Sequence, residues 1–447
     1  MNEARAPRNG IYYGWYVTAT TMFIAAVTLG ARGAFGVFVI PMSEAFDWNR
    51  TTISVAAGIG VLVNGLTQPV LGHLFDRFDS RKVVLISLLI VGLGTAALSL
   101  TFHYLFLVFL FSFLLSTAMS GASEGTLGPL LARWFLRRRT TVLGLMVAGG
   151  ALGGLTLIPF SAYMVELFDW RVSWVTLGAI ITVLALPLGF IFLRNSPGQM
   201  GLQPDGDPEP PPDESPSAQK LGLFEVEQWW QSFRSPPIWN LSASFTICGV
   251  SVGAIAIHFV PYAEEQISIS PTLAGVIFGF MMGLSVVGGI GGSWLADRFG
   301  RKNVLAWVYF IRGLAYVALL GGLFAVERGI ALPLISSPGL ASLWVFAALA
   351  GLSWIASVPV TTALTADVYG LRALATISGI SLMCHQVGSF VSILLAGILY
   401  DATGSYFLPF AVAGSLLFPA ALAAFMIDER KYSVRYQSAP AGASAGG

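Results

Sequence analysis

The sequence predicts an all-α membrane protein with twelve transmembrane helices in two pseudo-symmetric six-helix bundles. Composition is the first of three observations behind this. Of 447 residues, 55% are hydrophobic and 11% charged, against about 25% charged in a soluble chain, and mean hydropathy is +0.74. The second is the number of apolar runs long enough to cross a bilayer, which takes about 20 residues as helix. Lipid leaves no unpaired backbone, so each lipid-exposed run must be helical. The third is a charged turn that occurs twice. GHLFDRFDSRK carries Gly72, Asp76, Arg77, Arg81 and Lys82, and GSWLADRFGRK carries Gly292, Asp297, Arg298, Arg301 and Lys302. The Asp-Arg pairs are 221 residues apart, near half the chain, which points to a duplicated unit whose halves move against each other. Continuous apolar runs, not alternating ones, exclude a β-barrel.

In chain order the expected spans are 13–40, 52–75, 82–101, 104–133, 141–168, 173–194, 238–261, 272–296, 303–325, 340–366, 372–399 and 405–427. Several exceed the minimum length, as tilted or extended helices do. They define an N-terminal bundle over 1–194, a linker over 195–237, a C-terminal bundle over 238–430 and a Gly/Ala/Ser tail over 431–447, expected to be disordered and cytoplasmic. Of the 24 Lys and Arg, nineteen fall on one side if both termini are cytoplasmic. Arg50, Arg171 and Arg328 fall on the other, and Arg32 and Arg312 lie within spans. The positive-inside rule therefore orients the chain with both termini in the cytoplasm of an inner membrane. MNEARAPRNG runs into the first span without a small-residue cleavage site, so no removable signal is expected. A net charge of +1 gives no reason to expect nucleic acid. Cys248 and Cys384 both fall in spans, where a disulfide or metal site is not expected.

Within the linker, PDGDPEPPPDESPSAQK (204–220) is rich in Pro and acid and is expected to be disordered. After it, Leu223, Val226, Trp230 and Phe233 recur at helical spacing opposite Glu227, Gln228 and Gln231. This predicts a short amphipathic helix on the inner leaflet, the alternative being an extended lead-in to the seventh span.

The duplicated turn follows the pattern G-x-L-x-D-R-x-G-x-[RK], and nearly the whole chain resembles the major facilitator superfamily. The second copy matches almost fully; the first has Asp79 where the family has Gly. GWY (14–16), AFGVFVIPMSEAFDW (34–48), RWFLRRRTTVLG (133–144), NSPGQMGLQPDGD (195–207), HFVPY (258–262) and LAGILYDATGSY (395–406) further resemble its monocarboxylate transporter and oxalate/formate antiporter branch. The resemblance implies alternating-access transport of a small organic anion, often with protons. Two features of the branch are missing: the substrate arginine that precedes the second turn is replaced by Gly288, and the first-span lysine of the animal members has no counterpart. Proton-coupled efflux carriers resemble one another in a Gly-Pro fifth span, whereas AGGALGGLTLIP (148–159) has Gly154 where the proline would stand.

Ionisable residues inside a bilayer cost about 2.5–3.5 kcal/mol or more at its centre, so each is a functional candidate. Arg32, nine residues before Pro41, and Glu124, ten before Trp134, fall near mid-membrane at about 1.5 Å per residue. In the implied fold they line neighbouring helices of a central cavity. Arg32 offers a planar, permanent cation for a carboxylate substrate, and Glu124 a proton carrier; the alternative is a structural ion pair. His258, three residues before Pro261, is placed by the repeat on the outer cavity wall, with substrate or proton as its partner, or as a packed hydrogen-bonding residue. His385 and Gln386 resemble a polar cavity wall, and Asn64 and Gln68 add hydrogen-bonding capacity. Arg312 is expected at a peripheral, structural position, snorkelling or paired.

Gly-rich stretches in the fourth span (Gly121, Gly125, Gly128) and the eighth (Gly288, Gly289, Gly291, Gly292) permit close helix packing. Gly72, Asp76, Arg77, Arg81 and their copies Gly292, Asp297, Arg298, Arg301 are expected to act as conformational latches. Each Asp meets the positive N-terminus of a helix in the other half, and the arginines tie down the loop. No Gly-Lys-Ser/Thr phosphate loop, His-x-x-Glu-His pair or nucleophile–base arrangement occurs, so neither an enzyme nor a cofactor is expected. The expected partners are a small organic anion, protons and lipid. Two alternatives remain: an efflux carrier for another small molecule, and a non-transporting sensor or scaffold, though no sizeable soluble domain accompanies the spans.

Overall fold

The computed structural model describes residues 11–48, 50–206, 226–269, 271–329 and 337–432. Twelve long helical segments are present among them. Helix α1 runs over Gly14–Gly33 and, past Ala34, Phe35–Phe46. It is followed by α2 (Arg50–Arg77), α3 (Ser80–Leu100), α4 (Tyr104–Ala132), α5 (Arg139–Leu167) and α6 (Trp170–Phe192). The second half comprises α7 (Pro236–Glu265), α8 (Pro271–Phe299), α9 (Arg301–Glu327), α10 (Pro338–Tyr369), α11 (Leu374–Thr403) and α12 (Phe407–Phe425). Among the described residues, eleven stretches are long and apolar enough to cross a membrane. The remaining long helix is α2, of 28 residues, which carries Asn64 and Gln68. Exposed faces are apolar, as lipid requires: Leu93, Phe109, Val183, Trp307 and Val317 stand outward.

Each half builds its own core, around Ile24, Leu88 and Leu127 in the first and Phe259, Tyr316 and Phe346 in the second. Between helices, close approach takes the place of the hydrophobic drive that lipid removes. At Gly249 of α7 a Cβ would lie 1.9 Å from the His385 carbonyl of α11, so only glycine lets these helices touch there.

The halves meet at one end. A Cβ on Gly72 would strike the Ala375 carbonyl at 2.3 Å, and Gly65 lies against Gln386. Further along α2 toward its start, Gly60 faces Ser116 of its own half, and among the described residues nothing lies within 4 Å of a Cβ on Gly58. The chain is therefore closed where the Asp-Arg turns lie, and contacts between α2 and α11 thin out toward the other end.

Two interruptions position the site. In α4 regular helix stops at Gly121 and restarts at Glu124, with Ser123 as the N-cap accepting from the Gly125 amide at 3.3 Å. In α10 it stops at Trp354 and restarts at Ser357. As the fourth helix of each half, α4 and α10 are equivalent under the repeat, so both copies of the duplicated unit break at matching places.

Two expectations are modified. Residues 204–206 form a turn, in which the Asp205 carboxylate accepts from the Leu136 and Arg137 amides at 2.9 Å each; residues 207–220, expected to be disordered, lie outside the described residues. In place of an amphipathic α-helix, the described part of that segment has a short 3-10 turn over Trp229–Arg234, and Leu223 lies outside. The tail beyond residue 432 also lies outside.

Candidate functional site

A cavity of about 340 Å³ opens between the halves, lined by both helix breaks. From the first half come Thr28 and Arg32 of α1, Asn64 and Gln68 of α2, and Ser123 and Glu124 of α4. From the second come Phe245 and Cys248 of α7, Met282 of α8, Trp354 and Ser357 of α10, and Leu382, His385 and Gln386 of α11. Six of the seven residues expected at a binding or coupling site are thus brought together across four helices.

Arg32 Nη1 donates to Asn64 Oδ1 at 3.3 Å. Asn64 is itself fixed, donating from Nδ2 to Ser120 Oγ at 2.9 Å and to the Ser116 carbonyl at 3.0 Å. Gln386 Nε2 reaches the same Oδ1 at 3.5 Å from the other half. Gln68 Oε1 accepts from Ser123 Oγ at 3.2 Å. Glu124 occupies the first position of the restarted helix, where the amide dipoles favour a negative charge. Arg32 and Glu124 form no ion pair within 4.0 Å among the described residues. Both are partly accessible from the cavity. The arrangement offers a cation and an acid side by side, each able to engage a third group.

His258 stands apart. Its Nδ1 is 3.3 Å from Tyr406 Oη and its Nε2 3.1 Å from the Ile393 carbonyl, and it does not line the cavity. The repeat gave the right helix but not its rotation, and these partners make it a packed histidine between α7 and α11. Arg312 is structural and bonded to neighbouring helices, as expected, but it lies in the interior of its half. It is fully buried and ties α9 to α7 and α10, donating to Cys248 Sγ at 3.0 Å, to the Trp354 carbonyl at 2.8 Å, and to the Ser353 carbonyl.

The two Asp-Arg turns make matching contacts across the halves. Asp76 accepts from the Ala375 and Thr376 amides at 3.2 and 2.7 Å and from Thr376 Oγ1 at 2.7 Å, at the N-terminus of α11. Asp297 accepts from the Thr140 and Thr141 amides at 3.2 and 2.7 Å and from Thr141 Oγ1 at 2.9 Å, at the N-terminus of α5. The arginines diverge. Arg301 is buried and bonds Asp297 at 3.1 Å, Thr140 Oγ1 at 2.8 Å and Asp367. Arg81 turns back to the Phe190 carbonyl within its own half. Arg77 and Arg298 are exposed and lie over the rings of Phe78 and Trp294, so the contacts seen for them are with aromatic faces.

Asp79, the departure from the repeated pattern, has a local task. It is the N-cap of α3 and accepts from the Arg81 amide at 3.1 Å. Burial works against its charge, but hydrogen bonds from Asn195 Nδ2 (2.8 Å) and the backbone, with Lys82 nearby, hold its carboxyl below the usual range. In the second half Gly300 leaves that position without a side chain. There Glu429, just past α12, accepts from the Arg301 and Lys302 amides at 3.2 and 3.1 Å. Sequence reasoning missed Asp367, Glu429, Phe245 and Trp354. The first two are acids near span ends, and the last two are aromatics among many in a chain where 13% of residues are aromatic.

The sequence profile of the Major Facilitator Superfamily matches residues 21–341. The uncharacterized MFS-type transporter YcxA of Bacillus subtilis is 25% identical over 402 residues, 89% of this chain and 91% of that one. Monocarboxylate transporter 13 of Bos taurus is 26% identical, over 93% of this chain and 89% of its own. In three dimensions the chain is similar to the proton:xylose symporter XylE bound to 6-bromo-6-deoxy-D-glucose, with a TM-score of 0.68, 13% identity, and coverage of 92% of this chain and 94% of that one. FucP in the outward conformation gives a TM-score of 0.65 at 16% identity, covering 92% and 99%. With the family profile spanning well over half of its length and the fold shared throughout, the chain is a multi-pass membrane protein that belongs to the Major Facilitator Superfamily.

Proposed function

We propose that this protein is a secondary active carrier that moves a small, monocarboxylate-like organic anion across the cytoplasmic membrane by alternating access, with protons as the coupling ion. One observation carries the reading: Arg32 and Glu124 face one cavity between the halves without pairing with each other. Arg32 binds the carboxylate through its planar fork, with Asn64, Gln68, His385 and Gln386 supplying hydrogen bonds around it. Glu124 takes and releases the coupling proton, because a carboxyl at a low-dielectric wall is easily kept neutral and recharges when the cavity is wet. Relatives named monocarboxylate transporters and a fold neighbour titled a proton symporter support the reading. With both termini cytoplasmic, the contacts of Asp76 and Asp297 close the cytoplasmic end, and the geometry is that of an outward-facing state. Release of those latches opens the other side.

The test is uptake of labelled propionate and phenylacetate by the purified full chain in proteoliposomes, with and without an imposed pH gradient. Accumulation driven by an inward proton gradient supports the reading. Binding without any gradient-driven movement would instead assign a sensor, and extrusion of uncharged compounds alone would assign an efflux carrier.

A further inference from the structure

The permanent cation and the aromatic rings of the cavity come from different halves. The permanent cation and the acid, Arg32 and Glu124, come from the first half, together with Asn64, Gln68 and Ser123. The second half offers an apolar, aromatic surface, with Phe245 and Val252 of α7, Met282 of α8, Trp354 and Val358 of α10 and Leu382 of α11, beside the polar His385 and Gln386. The acid and the tryptophan both come from helix breaks: Glu124 restarts the helix after the break in α4, and Trp354 ends it before the break in α10.

We infer, resting on the carrier reading above, that the substrate is an arylcarboxylate: a carboxylate head held by Arg32 and a flat apolar body held against Phe245 and Trp354. A carrier must couple its ligand to both halves, because only a ligand that touches both can bias their relative arrangement. A two- or three-carbon acid satisfies Arg32 and reaches the second half only through His385 and Gln386, leaving its aromatic wall facing water. A neutral arene covers the wall and leaves the first-half charges uncompensated. A head-and-ring molecule engages both. A volume of about 340 Å³ lies within the range of roughly 300–1,000 Å³ that holds larger ligands.

The wall is pre-shaped for a ring. Arg312, fully buried, stands with its Cζ 5.4 Å from the Trp354 ring centroid and donates to the Trp354 carbonyl at 2.8 Å. Its Nη1 also fixes Cys248 beside Phe245's helix face at 3.0 Å. The Phe245 ring is 4.9 Å from the His385 ring at 44°. Aromatic edges and faces and the Met282 thioether favour an aromatic partner over an aliphatic one of the same area.

The experiment measures binding of sodium phenylacetate, cyclohexylacetate, propionate and benzyl alcohol to the full chain in detergent by calorimetry. Phenylacetate is expected to bind about tenfold or more tighter than propionate, the gain of burying a ring, and tighter than cyclohexylacetate. In Trp354→Leu and Phe245→Leu the phenylacetate-to-propionate ratio is expected to fall several-fold, with folding checked by melting temperature. Equal affinities for phenylacetate and propionate in the unmodified chain, or for phenylacetate and cyclohexylacetate, would overturn the inference and leave the anion-carrier reading standing. Benzyl alcohol binding as tightly as phenylacetate would overturn the anion reading itself and the arylcarboxylate with it. The ligand comparison needs no variant, so it holds even if a substitution prevents folding.

Discussion

Arg139 and Arg301 come from opposite halves of the chain and share one carboxylate. Asp367 accepts from Arg139 at 2.7 Å through Oδ1 and pairs with Arg301 through Oδ2, and all three are buried. Arg301 also holds Asp297, which caps α5 beside Arg139. The second Asp-Arg turn is therefore the centre of a closed charge network, whereas the first rests on Asp76 and the helix end it meets. A duplicated sequence has produced two contacts between the halves that differ in their charged partners.

Removing the shared charge should show this. In Asp367→Asn two buried guanidinium groups lose their common counter-charge, and breaking a buried pair in this way costs about 3–5 kcal/mol. A lower melting temperature and greater labelling of loop-end cysteines introduced near Thr140 are expected. Unchanged accessibility would mean the network does not hold the halves together.

Asp76→Asn and Asp297→Asn remove a charge from a helix N-terminus while keeping a hydrogen-bonding side chain, a loss of about 0.3–2 kcal/mol each. Both should move the access equilibrium toward the loop-open state by a few-fold or more, with intrinsic ligand affinity preserved. Asp297→Asn should have the larger effect, because it also removes one of the two carboxylates paired with Arg301. Spin-label distances across the loop end, read beside ligand titrations, separate the two quantities. A large loss of affinity with unaltered distances would count against the latch.

Arg32→Lys should weaken anion binding about tenfold or more, since a point charge on a flexible stem cannot reproduce a planar two-point contact. Glu124→Gln should abolish accumulation driven by a pH gradient yet retain counterflow exchange, the amide standing in for the protonated acid. Proteoliposome uptake with and without the gradient reads both. Normal transport by Arg32→Lys, together with concentrative uptake by Glu124→Gln, would make the pair structural.

The cap at the start of α3 gives a pH-dependent expectation. Asp79 has its carboxyl held below the usual range. The stability it contributes is thus present above the unfolded value of about 3.9 and is lost as pH falls through its lower folded value. The difference in melting temperature between the unmodified chain and Asp79→Ala should be seen at pH 7 and shrink below about pH 3.9. Glu429→Ala should cost about 0.5–2 kcal/mol and loosen the Arg301 end of α9, raising loop-end accessibility. A loss of stability without that opening would confine Glu429 to its own helix.

Much of this was set by sequence alone. Bilayer thickness and backbone hydrogen bonding force long apolar runs into helices, and the repeat of GHLFDRFDSRK in GSWLADRFGRK fixes the pairing of halves, so the fold and the partners of Asp76 and Asp297 followed from local rules. The membrane cost of charge likewise singled out Arg32 and Glu124. What tertiary structure decided depends on helix rotation and on contacts between residues far apart. Sequence repeat carried His258 to the correct helix, but packing turned it to Tyr406 and away from the cavity. Arg312 reads as a peripheral arginine until α7 and α10 close around it. Phe245 and Trp354 are two aromatics among many, and only the crossing of α7 with the break in α10 gives them one wall. Asp367 acquires its meaning from Arg139, 228 residues away, because a buried carboxylate needs paired cations, and one of its two comes from the other half of the chain.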